Sequence, residues 1–248
     1  MAYNVADMFE HAVDAVPDRP ALGDGDTTRT YAELDARTNA LAHVLAERGI
    51  EAGDHVGIYA MNSIEWIESL LAITKIRAVP VNVNYRYVEE ELRYLFDNAD
   101  LVGLVYGEEF GPRVSAVRDK LPLLRTLVMI PDGSGTDQGD LDPIAYPDAI
   151  ASGSPERDFG ARSGDDQVII YTGGTTGMPK GVMWRSEDIF FALAGGVDPF
   201  TGIPVASEYE HAQKAAASGG ALVFATVPPL MHGAAFVASL MQLFQGNT

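Results

Sequence analysis

The sequence has no cysteine, which excludes disulfides and thiolate metal sites and suits a reducing cytoplasm. Basic residues are scarce: 17 Lys and Arg stand against 35 Asp and Glu, for a formal net charge of −18. A nucleic-acid binder needs a basic face, so neither DNA nor RNA is expected as a partner. The opening residues, MAYNVADMFEHAVDAVP, carry acids where a secretory signal needs basic residues, and they lack a continuous apolar core. No clean membrane span is present either. From Ala215 onward the only ionisable side chain is His232, yet TVPPLMHG interrupts that stretch with two prolines and a glycine. A buried strand, a turn and a core helix fit it better.

What is present suffices for a large core, since 47% of the 248 residues are hydrophobic. Asn4 is placed to cap a helix with Val5, Met8, Phe9, Ala12, Val13 and Val16 at helical spacing, and Pro17 ends it. ALGDGDTTRTY reads as a hairpin around Gly23 to Asp26. Thr30 and Glu33 form a capping box for a helix bearing Leu34, Leu41 and Leu45, stopped by Gly49. Strands HVGIYA, AVPVNVN, LVGLVY and TLVMI then alternate with helices capped near Asn62 or Ser63, near EEELRYLFDN, and around Arg113 to Lys120. That alternation predicts an α/β fold with a largely parallel sheet covered on both faces.

The segment 131–164 is rich in Gly, Asp, Ser and Pro and reads as a surface connection between a first part, 1–130, and a second, 165–248. Beyond it, QVIIYT and GVMW read as strands, Ser186 starts a helix, GGVDPFTGIP is a loop, ALVFATV is a strand, and Gly233 to Phe244 is an apolar helix. A domain seldom stops just after a helix that is apolar nearly all round, so the chain reads as incomplete at its C-terminal end.

Between the two strands of the second part lies YTGGTTGMPKG, Tyr171 to Gly181. Its glycines let backbone amides turn inward, its threonines add hydroxyl donors, and Lys180 adds a compact cation, a lining suited to a polyphosphate. It is not a Walker loop, because Met178 and Pro179 intervene between Gly177 and Lys180 and Gly181 occupies the hydroxyl position. Nor is it a dinucleotide fingerprint, since Thr172 stands where the first glycine belongs.

The loop closely resembles the phosphate-binding signature of the adenylate-forming superfamily, Tyr/Phe-Thr-Ser-Gly-Thr-Thr-Gly-x-Pro-Lys-Gly, departing only at Gly173, where serine is common. The stretch from TYAELDARTNALAHVLAERG to YLFDNAD is similar to the opening half of an acyl-CoA synthetase, and PPLMHGAAF resembles the segment where such enzymes place a histidine beside the acyl pocket. Gly173, GVMWR and NVNYRYVEEELRYLFDN look most like the actinobacterial branch that activates sterol side chains and related fatty acids. The resemblance implies a layered αβαβα N-terminal domain and a two-step reaction. A carboxylate attacks the α-phosphorus of ATP to give an acyl-adenylate and pyrophosphate, and the thiol of coenzyme A then displaces AMP.

By the same resemblance, Thr172, Gly173, Gly174, Thr175, Thr176 and Gly177 wrap the β- and γ-phosphates and Lys180 neutralises them. Thr176 supplies the hydroxyl nearest Mg²⁺. With Gly173 in place of serine, one hydroxyl donor is lost and the amide remains, so binding leans on main-chain contacts. Pro179 and Gly181 shape the loop. His232 is either a core histidine with a hydrogen-bonded ring or a group near the substrate carboxylate, with Gly233 and Ala234 leaving room for an acyl chain. Phe236 and Met241 are pocket walls or plain core, Trp184 is packing, and Arg185 has no assigned role.

The superfamily's Tyr-Gly-x-Thr-Glu segment, its ribose-binding Thr-Gly-Asp aspartate and its catalytic lysine have no match in the chain. Two other readings stand beside the CoA ligase: adenylation for a carrier protein, and a non-catalytic nucleotide-binding module. The 248-residue chain alone is expected to form neither adenylate nor thioester, and robust pyrophosphate exchange by the purified chain would refute that.

Overall fold

The computed structural model describes residues 3–173 and 177–248. Helix α1 (Val5–Ala15) begins at the Asn4 cap, whose side-chain oxygen accepts from the Ala6 amide at 2.9 Å. Strands β1 (Pro20–Asp24) and β2 (Thr27–Thr30) form the expected hairpin, with Gly25 at φ +55 in the turn. The capping box of α2 (Tyr31–Glu47) is complete, Thr30 Oγ1 accepting from the Glu33 amide at 3.2 Å and the Glu33 carboxylate from the Thr30 amide at 2.9 Å.

The alternating part follows as β3 (His55–Tyr59), α3 (Ile64–Lys75), β4 (Val79–Asn82), α4 (Glu89–Asn98), β5 (Leu101–Gly107), α5 (Gly111–Arg118) and β6 (Thr126–Ile130). Then come β7 (Ile144–Ala145), α6 (Tyr146–Ser152), β8 (Gln167–Thr172), β9 (Lys180–Arg185), α7 (Ser186–Leu193), α8 (Glu210–Ala217) and α9 (Gly233–Phe244). A seven-stranded sheet runs β7-β6-β5-β3-β4-β8-β9, parallel throughout except for antiparallel β9 at its edge. Both faces are covered, as a parallel sheet requires. Strand β8 shows it residue by residue: Val168 and Ile170 join the cluster under α1, α2, α3 and α9, while Ile169 and Tyr171 join the one under α4 and α5.

The α/β class therefore holds, with helices on both sides of one large sheet among the described residues. Two local expectations differ. ALVFATV joins no sheet, because no strand lies beside it among the described residues; its backbone bonds run instead between Leu222, Phe224 and Thr248. Leu222, Val223 and Val227 are strongly exposed as a result. The segment 131–164 carries β7 and α6, and β8 pairs with β4, so the residues beyond it extend the same sheet.

That segment is also tied down by charge. Lys75 of α3, with no side-chain exposure, donates to Glu10 at 2.6 Å and Asp35 at 2.8 Å. Arg162 reaches Glu10 at 2.9 Å and Asp7 at 2.6 Å, and Arg157 reaches Asp35 at 3.0 Å. Burial alone would raise the Glu10 and Asp35 carboxyls. Lys75, joined by Arg162 at Glu10 and by Arg157 at Asp35, outweighs burial and holds both below the ordinary carboxylate range. The unfolded chain then protonates first on acidification. This stability is present above the ordinary carboxylate pKa and is lost as pH falls through the depressed folded values.

Removing the lysine leaves Glu10 and Asp35 buried with only their arginine partners, Arg162 and Arg157, to offset their charge. Lys75→Met should lower the unfolding free energy by about 3–5 kcal/mol in urea melts near pH 7, with the gap to wild type narrowing below about pH 4. A gap independent of pH would contradict this account of the cluster.

Candidate functional site

The glycine- and threonine-rich segment joins β8 to β9 at the sheet edge. The two strands pair antiparallel to their very ends, Tyr171 opposite Gly181 and Thr172 opposite Lys180, so the mouth of the hairpin is fixed by the ladder. Gly174, Thr175 and Thr176 lie outside the described residues. Thr172, Gly173, Gly177 and Lys180 are all exposed there, while Pro179 is buried. Among the described residues, no carboxylate comes within ion-pair distance of Lys180.

The glycines differ in what they permit. Gly177 has φ +100, a backbone conformation that disfavours any side chain. A Cβ on Gly181 would come within 2.7 Å of the Tyr171 ring and 2.9 Å of Ile169, so this glycine lets β9 close over the aromatic ring. A Cβ on Gly173 would meet nothing within 4 Å among the described residues. Tyr171 is itself clamped: its hydroxyl donates to Asn98 Oδ1 at 2.7 Å, and burial pushes its pKa up to about 12.

His232 sits at the N-cap of α9, exposed, with no ring hydrogen bond among the described residues; it is not a core histidine. Its side chain makes no cap bond to the helix, and the first turn of α9 carries no acidic residue. Gly233 follows at a close approach, where a Cβ would lie 2.9 Å from Ile170 of β8. The start of α9 is therefore packed directly on the strand that leads into the glycine-rich segment. Phe236 is buried 5.6 Å from the Trp66 ring. Met241, two turns along, borders a cavity of about 900 Å³ shared with Phe191, Val205 and His211. Burial holds the His211 imidazole below its ordinary pKa, and its Nε2 lies 2.9 Å from the Gly195 carbonyl. Trp184 packs against the core as expected, and Arg185 pairs with Asp165, Glu187 and Asp188 on the surface.

Two residues that hold the site together were not read as part of it in the sequence, where Asn62 stood only as a candidate helix cap. Asn82, at the carboxyl end of β4, is 5% exposed. Its Oδ1 accepts from the Tyr171 amide at 2.7 Å, and its Nδ2 donates to the Tyr171 carbonyl at 3.2 Å and to the Met231 carbonyl. Asn62, just past β3, accepts from the Leu230 amide at 2.7 Å and donates to the Pro228 carbonyl at 3.2 Å. The available signal was a polar residue inside an apolar strand, AVPVNVN, since a buried amide must find partners.

The open space at Gly173 and the crowding at Gly181 give opposite expectations. Gly173→Ser should leave the thermal midpoint unchanged, whereas Gly181→Ala should destabilise by about 1–3 kcal/mol in a chemical melt. Equal effects from the two would mean that the hairpin packs otherwise.

The profile of the AMP-binding enzyme family matches residues 9–248. Over 247 residues the chain is 49% identical to a 3-oxocholest-4-en-26-oate--CoA ligase of Rhodococcus rhodochrous, covering all of this chain and 44% of that protein. Over 248 residues it is 50% identical to a medium/long-chain-fatty-acid--CoA/3-oxocholest-4-en-26-oate--CoA ligase of Mycobacterium tuberculosis, covering all of this chain and 45% of that protein. The inhibitor-bound N-terminal domain of FACL13 from M. tuberculosis superposes with a TM-score of 0.74 at 24% identity, over all of this chain and 56% of that one, a likeness of fold. The chain thus spans less than half the length of the curated relatives it matches.

Proposed function

Since the chain belongs to the AMP-binding enzyme family, we propose that it forms the phosphate-gripping half of an ATP-dependent ligase for hydrophobic carboxylic acids. In the full-length protein the acid, a fatty acid or a sterol side-chain acid, attacks the α-phosphorus of ATP. Pyrophosphate leaves, and the coenzyme A thiol then displaces AMP to give the thioester. The observation that carries this reading is Lys180, exposed at the hairpin mouth beside Thr172, Gly173 and Gly177, with no carboxylate neutralising it among the described residues. In a chain of net charge −18, such a cation suits a ligand that brings its own negative charge.

Thr172, Gly173, Gly177 and Lys180 hold the β- and γ-phosphates together with Gly174, Thr175 and Thr176. This positions reactants and stabilises developing charge, which is most of what such a displacement asks of a protein. The described residues contain no cluster of three His, Cys, Asp or Glu able to cage a metal. Mg²⁺ favours phosphate oxygens and waters over all-protein cages, and the proposed contact from this chain is the Thr176 hydroxyl. The ion would withdraw charge from the departing pyrophosphate.

The acid's carboxylate lies at the start of α9, by His232 and Gly233. A helix N-terminus without a side-chain cap presents free amides to an anion, and the exposed imidazole adds a donor. From Gly233 to Met241 is about 12 Å along the helix axis at 1.5 Å per residue, a run that leads an apolar substrate body toward the cavity beside Met241. The names of the relatives, which pair fatty acids with a sterol-derived acid, support a hydrophobic substrate.

Lys180→Ala in the full-length protein should weaken Mg·ATP binding by about 10- to 100-fold, the worth of one charged hydrogen bond, without shifting the thermal midpoint. Pyrophosphate exchange with a long-chain acid should fall in step. Wild-type protein that binds no ATP, or a variant that binds it equally well, defeats the reading.

A further inference from the structure

The phosphate-gripping segment and the His232 turn are 60 residues apart in sequence order only in the sense that Tyr171 and Met231 bracket that interval; in space one side chain touches both. We propose that Asn82 is a positioning residue that couples the nucleotide site to the acid site, an inference that rests on the function proposed above. Strands β4 and β8 pair in parallel with Val81 opposite Ile169. Beyond that point the Asn82 amide replaces a backbone partner, meeting both the N–H and the C=O of Tyr171. Its remaining donor capacity goes to the Met231 carbonyl, adjacent to His232. Tyr171 is followed by Thr172 at the hairpin mouth, so each end of the Asn82 contact stops one residue short of a proposed ligand contact.

The geometry leaves the amide little freedom. Both carbonyls it serves need a donor, and the Tyr171 amide needs an acceptor, so an asparagine side chain satisfies all three groups at once. The surroundings are close-packed: Gly233 lies against Ile170, and Gly181 lies against the Tyr171 ring. A shift of β8 on gripping phosphate therefore has no slack to absorb it. It is passed through Asn82 to the turn, and by linkage a carboxylate settling at the turn is felt equally at the hairpin. Asn62 holds the same turn from the end of β3 through Pro228 and Leu230, but it has no bond to β8, so it anchors without linking the two sites.

The aspartate variant isolates the donors. Asn82→Asp keeps an acceptor for the Tyr171 amide while facing two carbonyls with a carboxylate, and Asn82→Leu removes all three bonds. The test is affinity of the full-length protein for Mg²⁺ with a non-hydrolysable ATP analogue, measured by calorimetry with and without saturating palmitate. Wild type should bind the analogue at least about fivefold more tightly with palmitate present, and palmitate more tightly by the same factor with the analogue present. In Asn82→Asp and Asn82→Leu that factor should drop below about twofold, while each ligand alone loses less than about fivefold. A residue that only supported the fold would lower both affinities and leave the coupling factor unchanged.

Should either variant fail to fold, amide exchange on wild type gives the same answer. The analogue alone should slow exchange in a peptide spanning 229–233 by at least about threefold. Coupling that survives in folded Asn82 variants, or wild type in which each ligand binds without affecting the other or that peptide, overturns this inference alone. Wild type that binds neither ligand overturns the proposed function as well.

Discussion

A parallel sheet buried on both faces sends the carboxyl ends of its strands to one edge, and the proposed site is assembled from what emerges there. Asn62 follows β3, Asn82 ends β4, and the glycine-rich segment follows β8. The turn before α9 is drawn to the same edge by those two asparagines. No single strand end could hold a nucleotide tail and a carboxylic acid together. Three adjacent ends can, because strand order β3-β4-β8 makes neighbours of segments distant in the chain. Antiparallel β9 then returns from the edge and presents Lys180 directly opposite Thr172.

Charge is distributed around the same constraint. The chain has 17 Lys and Arg for 35 Asp and Glu, so cations are the scarce resource. Several are committed internally: Lys75, Arg157 and Arg162 tie the segment before β8 to α1, α2 and α3, and Arg37 meets the buried Glu68. Arg77 forks onto Asp166 at the turn that starts β8, where Asp166 also accepts from Asn4. These pairs fix the strand's entry as firmly as Asn82 fixes its exit. Lys180 lies at that exit, exposed and outside this network, with no carboxylate paired to it among the described residues.

What the sequence disclosed was whatever depends on near neighbours. The Asn4 cap and the Thr30–Glu33 box are decided within four residues, and both appear as read. Helix α1 occupies the segment read from its apolar spacing, and α4 and α9 lie where EEELRYLFDN and Gly233 to Phe244 were read as helices. Contacts across the fold were out of reach. ALVFATV has the composition of a strand, but a strand exists only beside another, and none accompanies it among the described residues. The segment 131–164 has loop composition, yet Arg157 and Arg162 find buried carboxylates 122 and 152 positions earlier in the chain. Helix α8 was missed because Ala-rich EHAQKAAA shows little apolar periodicity beyond Ala212 and Ala215. The candidate loop was legible as a motif, and its dependence on Asn82 was not, since nothing local says where a buried amide will find its partners.

The exposure of His232 bears on how such a site handles two anions. A carboxylate and a triphosphate repel each other, and in a water-poor cleft that repulsion is large. Bringing them into reacting distance requires separate positive potentials, aimed from different directions. In the proposed site Lys180 at the hairpin mouth would supply one, and the first turn of α9, which has no side-chain cap, would supply the other with the His232 ring. A His232 buried and committed to a protein partner would leave only the helix end for the second. Gly233 matters for the same reason: without a side chain, α9 can start flush against Ile170, which brings its positive end as near to the strand exit as packing allows. The two potentials then hold their spacing only while β8 and the turn move together, which is what a shared, buried amide enforces.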